Sequence, residues 1–509
     1  MSSLALRWIA VPRRLGWVIS AIVGTLMVAK FGVSLNQSLA ILFSSIVLIV
    51  WTHNKANGLI AALLLFMVKA VFVRIAYAVD KEFSGGGGFD LLGITPALLV
   101  AGLIVWHLYL KIASGEKILL GRTRVLIMLF SSLAFLSIFN PANSLLVGLG
   151  GFERNILPNM MVLLSASFIF TEIADSRRLL KVLLLLGSAS CVYGIGQYFS
   201  GLYPWEKDWI MDVAFKDSSS GWLTIGLRGV EFRLFSCFYN YMDFTFCNVL
   251  IFSLAISYGT ILRDKWKRIR HLYILLWSVV LLLSLERMPL LMSAVAVGLV
   301  YYLKSDVHKK KRIILKVVTC AALFIIGLSL ASPILKNSGA QKLDRLAELA
   351  NPFAAASIKE RIVRNWTPTL ETIAANPLGV GIGYGSQTRA NPIAARSDFW
   401  VEPHNELLQK TLETGIIGGI VFLLLLAAVF RDGLRLSRTN NRVRRLGIGF
   451  VAATIGFWLC GMVNVPFSGS SGLLYWILAG VVLSTEEMGR KVVPQLTKNV
   501  AETADKTSS

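Results

Sequence analysis

The chain has 509 residues, of which 55% are hydrophobic, and its formal net charge is +22. Soluble domains are usually about 45–50% apolar, and the excess here lies in long runs that suit spans of a lipid bilayer and exclude one large soluble core. Because Lys and Arg lie mostly between these runs, we expect the charge to set membrane topology, and we predict no nucleic-acid partner.

Fourteen apolar runs predict an all-α polytopic membrane protein with about 14 transmembrane helices. A spanning helix needs ~20 mostly apolar residues. The first run follows three arginines, as in a signal peptide, but no small-residue cleavage site stands out, so we expect this helix to be retained. The predicted spans cover approximately residues 15–31, 38–52, 57–77, 91–112, 122–139, 156–172, 179–199, 236–258, 271–285, 288–303, 313–332, 408–430, 444–463 and 471–485.

Four basic segments predict the orientation of these helices. If the N-terminus is cytoplasmic and the spans alternate, all four segments face the cytoplasm, as the positive-inside rule expects. An odd number of spans would place basic loops or a basic end outside, so we predict that both termini are cytoplasmic. The segments are Lys117–Arg124, Arg263–Arg270, Lys304–Arg312 and Arg431–Arg445.

Two long segments are predicted to lie on the outer side of the membrane. One covers about 200–235, and the other, between the eleventh and twelfth spans, covers about 333–407 and contains an expected helix around Ile358–Ala375. Long loops that are not linkers often carry function. The predicted organisation is about four N-terminal transmembrane helices at 1–112, a membrane domain with both loops at 113–485, and a polar cytoplasmic tail at 486–509.

The stretch from Pro403 to Gly419 predicts a helix that begins at the outer surface and enters the membrane. Pro403 suits a first helical turn, and the helix dipole would keep the imidazole of His404 neutral, as a general base requires. The alternative is an interfacial histidine at a helix cap. Gly415 and Gly418 are three residues apart, so another helix backbone could approach closely there.

A glycine-rich turn, from Asn376 to Gly383, precedes this stretch. Its residues Gly381 and Gly383 would allow a tight backbone path beside a substrate. The turn does not predict a nucleotide loop, because no strand precedes it and no Gly-Lys-Ser follows.

Two arginines stand at the borders of predicted spans. Arg233 heads one span, where the alternative is a surface anchor, whereas Arg287 falls between two apolar stretches with almost no loop and is predicted to line a cavity. Glu286 could pair with Arg287 and weaken its hold on an anion. Asp243 and Glu413 are potential buried carboxylates, either of which could pair with an arginine or orient His404.

Further cations lie in the predicted outer helix and in the third span. Arg361 and Arg364 would share one helix face and either bind glycan or diphosphate or form a solvated interfacial surface. Lys69 and Arg74 are interior polar residues or surface anchors, and we favour an anchor for Arg74.

Together these elements resemble the bacterial O-antigen ligase and O-antigen polymerase family over roughly residues 150–480, most strongly at 361–419. The signature is His-Asn at 404 and 405, nine residues, and then Gly-x-x-Gly, preceded by a Pro-Leu-Gly-Val-Gly-x-Gly element. The motifs around Arg233 and Arg287 are similar to the two arginine motifs of that family. Four residues depart from its common patterns: Ser236, where the family often has Gly, Met242, Met288 and Pro289.

The resemblance implies a metal-independent glycosyltransferase of the bacterial inner membrane. Such an enzyme moves an undecaprenyl-diphosphate-linked glycan to a saccharide or lipid A-core acceptor on the periplasmic face, and polysaccharide-assembly proteins are possible partners. In the family two arginines hold the diphosphate and a histidine serves the acceptor, which matches Arg233, Arg287 and His404. We expect further substrate contacts from Arg361, Arg364, Asn405, Glu406, Tyr239, Gly381 and Gly383.

Neither a cofactor nor a metal is expected. Asp, Glu and His show no metal-ligand spacing, and the five scattered cysteines suit small buried hydrophobes.

The resemblance leaves ligase and polymerase open, and the additional N-terminal spans favour a polymerase of a surface polysaccharide or exopolysaccharide. The alternative class is a transporter or flippase of a lipid-linked glycan or a small anion, although no paired broken helices suggest inverted repeats.

Overall fold

The computed structural model describes residues 35–79, 91–115, 121–210, 233–284, 286–306, 311–312, 319, 361–384, 403–439 and 443–487. Across these residues the secondary structure is helical, and they include no strand. The predicted span 15–31, the span 313–332 apart from residue 319, most of both outer loops and most of the C-terminal tail lie outside the described residues.

The helices follow the apolar runs closely. In chain order they are α1 (Leu35–His53), α2 (Lys55–Val79), α3 (Leu91–Ala113), α4 (Arg122–Leu136), α5 (Leu145–Asn155), α6 (Leu157–Ile169), α7 (Ile173–Ser200), α8 (Pro204–Trp209), α9 (Tyr241–Ser257), α10 (Asp264–Ser284), α11 (Arg287–Lys304), α12 (Thr367–Ala375), α13 (Glu406–Ser437), α14 (Arg444–Gly461) and α15 (469–487). A π-helical turn, Arg361–Trp366, leads into α12.

Twelve of the fourteen predicted spans coincide with a helix in the described residues. Five helices there are long and apolar enough to cross a membrane, which supports a helical membrane protein, while the count of fourteen stays a prediction. The five are Lys55–Ile75, Arg122–Phe139, Ile173–Ser200, Tyr241–Ile261 and Glu406–Ser437.

Helix α9 lies at the centre of the packing. It is mostly apolar and buried around its whole circumference, and its side chains Phe244, Val249, Leu250 and Ala255 are fully buried. A helix that is hydrophobic on every face needs neighbours or lipid on all sides, and α9 contacts α7, α11 and α14. The segments at the two ends of α9 are therefore held firmly by the helices around it.

The basic end of the bundle is defined by contacts among three helix termini. Ser257 Oγ donates to the Arg445 carbonyl at 2.6 Å, and Lys304 Nζ donates to the Ile256 carbonyl at 2.8 Å. The last turns of α9 and α11 thus meet the start of α14. Since α9, α11 and α13 all end here, the residues just before these helices lie at the opposite end, which we call the site end.

Candidate functional site

Helix α13 is broken inside the membrane-spanning length. Gly415 has φ 78° and ψ 174°, so the hydrogen bond that an intact helix would form from the Ile416 amide to the Leu412 carbonyl is lost. The segment 377–383, which we call the strap, replaces it: the Ile416 amide donates to Pro377 O and the Val380 amide donates to Leu412 O, both at 2.9 Å. The glycine-rich turn and the His-Asn helix, separate in sequence, thus form one unit.

A close backbone approach occurs at Gly415, where its partner is the strap. A Cβ at Gly415 would lie 2.6 Å from the Leu378 carbonyl carbon, and one at Gly379 would lie 2.5 Å from the Gly415 nitrogen. Gly418 instead faces Thr414 of its own helix. The approach of a second helix at this position stays a prediction, and the strap binds there because a broken helix offers free backbone groups that a loop can satisfy.

The other side of the strap packs against the segment before α5. Asn140 Nδ2 donates to Gly379 O and Asn143 Nδ2 donates to Ile382 O, each at 2.8 Å. Gly381 has a φ of 96° and lies against Asn143 of this segment, and Gly383 has a φ of 86° and lies against Val147 of α5. Protein packing accounts for both glycines, and their contact with substrate stays a prediction.

His404 lies just before α13 in a strained backbone conformation. Its φ is +44°, a region that residues other than glycine rarely adopt and that often occurs at functional sites. The next residue, Asn405, caps the helix by accepting from the Leu408 amide at 3.0 Å, and its Nδ2 donates to Met462 O at 3.0 Å. Both bonds fix the residue that follows the imidazole.

Burial and the neighbouring Arg361 guanidinium lower the pKa of His404 to about 4. The sequence predicted a neutral imidazole from the helix dipole, whereas in the structure burial lowers the pKa of His404 most and the charge of Arg361 contributes less. At neutral pH this ring is uncharged and can accept a proton, as a general base must.

Arg361 connects His404 with the two other arginines. Its Nη1 donates to Val463 O at 2.7 Å, next to the carbonyl that Asn405 binds. Burial lowers the pKa of Arg361, and the nearby charges of Arg287 and Arg233 lower it further. Four groups that start far apart in the sequence therefore converge at the site end.

Arg233 is held between a ring and a carboxylate. Its guanidinium carbon lies 4.3 Å from the centre of the Tyr241 ring, and its Nε lies 3.3 Å from Glu286 Oε1. Burial opposes the charged form, but Tyr241 and Glu286 outweigh it, so the pKa of Arg233 is raised. This ion pair joins Glu286 to Arg233, and the pairing of Glu286 with Arg287 that the sequence suggested stays a prediction.

Arg287 is the first residue of α11, and α10 ends at Ser284. The nearly absent loop agrees with the sequence-based expectation. Three guanidinium groups near one another, with Glu286 beside them, create a strongly positive site end. Such a cluster suits a ligand with more than one negative charge, because guanidinium forks match phosphate oxygens.

The other predicted substrate residues differ in exposure. Glu406 is 2% exposed, accepts from the Phe467 amide at 3.1 Å and lies 3.4 Å from Lys410 Nζ. Tyr239 is half-buried, with its ring 5.5 Å from Lys69 Nζ. Substrate contacts for both stay predictions, and the carboxylate of Glu406 is engaged by protein groups.

Arg361 and Arg364 do not share a face. Arg361 is half-buried, whereas Arg364 is exposed. The expectation assumed α-helical spacing, but these residues lie in a π-helical turn, whose wider winding rotates positions three apart away from each other.

The two candidate carboxylates contact protein groups away from His404. Asp243 Oδ1 accepts from the Ser471 amide at 3.1 Å near the start of α15, and Gln409 Nε2 donates to Glu413 Oε1 at 3.3 Å. Among the residues described, no group of three or more His, Cys, Asp or Glu could hold a metal ion.

Sequence reasoning missed the residues that support this arrangement. Asn140 and Asn143 were not singled out, although an Asn-Pro-Ala-Asn turn beside a span is a visible signal of side chains that bind backbone. Tyr241, whose ring packs against the Arg233 guanidinium, was also missed, because it lies one residue after the arginine motif that ends at Asn240.

Residues 272–423 match the family model of O-antigen ligase. This match confirms the resemblance inferred from the motifs. It includes Arg287, Arg361, the strap and His404, and Arg233 lies upstream of it. No curated protein matched the chain.

Proposed function

We propose that this chain, whose residues 272–423 match the O-antigen ligase family model, is an inner-membrane glycosyltransferase. In this proposal it moves an undecaprenyl-diphosphate-linked glycan to a saccharide acceptor on the periplasmic face. The observation that carries the proposal is that Arg361 lies within electrostatic reach of Arg233, Arg287 and His404. A cationic cluster and a neutral base therefore lie beside each other.

The arginines are assigned to the leaving group. During transfer the bond from the anomeric carbon to the diphosphate oxygen breaks, and its electron pair stays on the diphosphate. A lipid diphosphate is already a weak base, so it needs charge neutralisation more than a proton. Arg233 and Arg287 supply preorganised cations where this charge develops, which is usually the largest contribution to catalysis.

His404 is assigned to the acceptor. The acceptor oxygen forms the new bond to the anomeric carbon, and its proton passes to the imidazole. A positioned base contributes about 10²–10⁴-fold to such a step. The neutral state of His404 at physiological pH supports this role.

The two activities of the family, polymerisation and ligation, differ in the acceptor that receives the glycan. We favour polymerisation of a surface polysaccharide over ligation to lipid A-core, because the N-terminal helices α1 to α3 precede the region of about residues 150–480 that resembles the family. The glycan profile of a deletion strain tests this choice. Single repeat units that remain on the core indicate a polymerase, whereas loss of all capped core indicates a ligase.

Reconstitution tests the reaction class. The purified protein in detergent should join sugars from an undecaprenyl-diphosphate-linked donor without any gradient, whereas a transporter requires a sealed compartment. The His404→Ala variant should lose transfer while its amount in the membrane stays unchanged. His53→Ala, an exposed histidine at the end of α1, is the matched control and should retain transfer. Normal transfer by His404→Ala would remove the base assignment.

A further inference from the structure

We infer that Arg74 of α2, together with Glu206 of α8, is a positioning residue for Arg233. The inference rests on the proposed function and gives α2, which lies outside the family-matched segment, a part in donor binding. Its basis is a buried network that joins the membrane-spanning helix α2 to the turn that follows Arg233.

Arg74 is buried and turns inward. Its relative exposure is 0%, which corrects the expectation of a surface anchor. Nη1 donates to Ser236 O at 3.1 Å, Nη2 donates to Phe238 O, and the guanidinium carbon lies 4.4 Å from the centre of the Phe235 ring. One rigid side chain thus binds two carbonyls of a single turn.

Glu206 balances this charge and extends the network. Its Oε1 lies 3.4 Å from Arg74 Nη1 and accepts from Tyr193 Oη at 2.8 Å and from Gln197 Nε2 at 2.7 Å. Gln197 Oε1 in turn accepts from the Ser236 amide at 2.8 Å. Both backbone groups of Ser236 are therefore held by the same set of buried side chains.

The held residue has a backbone conformation that needs such support. Ser236 has φ +52°, where a residue with a Cβ is strained. Its Oγ also donates to Ser190 O at 2.6 Å. The turn is thus kept in a single conformation three residues after Arg233, and this sets where the Arg233 side chain lies against Tyr241 and Glu286.

The first test compares two ion-pair replacements. The double variant Arg74→Met/Glu206→Gln removes both charges together, so no unpaired buried charge remains. Its matched control is Arg124→Met/Glu487→Gln at the basic end, where Arg124 likewise binds a glutamate, at 2.8 Å, and a carbonyl, that of Ser167. We expect the first variant to raise the donor KM about tenfold, the effect of weakening one charged hydrogen bond, and to leave the acceptor KM unchanged. The control should change neither.

A double-mutant cycle separates positioning from a general loss of structure. In an Arg233→Lys background the Arg74→Met/Glu206→Gln pair should change the donor KM less than about twofold, because coupled residues are not additive. The inference would be overturned if the Arg74→Met/Glu206→Gln pair changed the donor KM by the same factor with Arg233 and with Arg233→Lys. It would also be overturned if the donor KM and the acceptor KM rose in parallel. If the pair does not insert, Gln197→Leu removes a neutral member of the same network and takes its place in the cycle.

A second readout does not require transferase activity. In a background without native cysteines, a flexible thiol cross-linker as long as the two replaced side chains together should join Arg233→Cys to Glu286→Cys, since Arg233 Nε and Glu286 Oε1 are 3.3 Å apart in the native protein. The yield should fall several-fold when Arg74→Met/Glu206→Gln is added and should stay constant with the Arg124→Met/Glu487→Gln control. A cross-linking yield that stays the same with Arg74→Met/Glu206→Gln and with the control pair would overturn the positioning role. A falling yield would support the positioning role whatever the activity of the protein, whereas absence of transfer by the protein with Arg233 and Glu286 intact would reject only the proposed function.

Discussion

The Ile416 amide donates a 2.9 Å hydrogen bond to the Pro377 carbonyl across the break in α13. The strap can reach this position because neither Gly379 nor Gly415 carries a Cβ. The first half of α13, with His404 before it, is thereby tied to the family's glycine-rich element.

Replacing Gly415 should therefore destabilise the protein. In Gly415→Ala the new Cβ would lie 2.6 Å from the Leu378 carbonyl carbon at a positive φ, and we expect a loss of about 2–4 kcal/mol in the free energy of unfolding. Gly102→Ala in α3, where a Cβ meets nothing within 4 Å, is the control and should be neutral or stabilising. Unfolding of the two variants in detergent measures this, and equal stabilities would contradict the role given to the strap.

The pH dependence should report the contact between Arg361 and His404. Because the neutral imidazole is the active form, kcat/KM should be lost as the pH falls through about 4, the pKa of His404. Arg361 lowers that pKa, so Arg361→Gln should raise it and move the acid limb to higher pH. Arg364→Gln, an exposed neighbour, should leave the limb in place. The measurement is the pH–rate profile, and an unmoved limb in Arg361→Gln would speak against the contact.

Lysine substitutions should separate charge from geometry at the donor site. Arg233→Lys and Arg287→Lys keep the charge but lose the bidentate fork, and each should raise the donor KM about tenfold, a difference of about 1.4 kcal/mol. Arg178→Lys, an exposed residue in the first part of α7 paired with Asp175, is the control. Steady-state kinetics with a diphosphate donor provide the test, and unchanged constants for both variants would exclude the assignment.

Position 236 should accept glycine better than a branched residue. In Ser236→Gly the relief of the φ of +52°, about 1–2 kcal/mol, roughly offsets the lost bond to Ser190, about 1 kcal/mol, so stability should change little. Ser236→Val keeps the strain, removes the hydroxyl and should destabilise clearly. Thermal unfolding of the two variants compares them, and a less stable glycine variant would refute this account.

The sequence predicted the helices and the meeting of the candidate site residues at one end of the bundle. It did not predict the strap or the Arg74 network, which hold those residues in place. Apolar runs predict where helices begin and end. Because successive spans alternate in direction, this pattern alone brings Arg233, Arg287 and His404 to the site end. No hydrophobic periodicity in the sequence predicts the strap, because its hydrogen bonds depend on backbone groups that the break at Gly415 frees. Arg74 was misjudged since its partner, Glu206, is 132 residues away, and hydropathy does not reveal which helix face points inward.

The nearness of Arg361 to His404 has a consequence for the order of events. A base whose proton affinity is lowered by a neighbouring cation gains affinity once an anion screens that cation. Arrival of the diphosphate should therefore make the imidazole a stronger proton acceptor, whereas the empty site holds a weak one. Activation of the incoming hydroxyl would then be timed by loading of the donor, and water would be activated least when no sugar is bound.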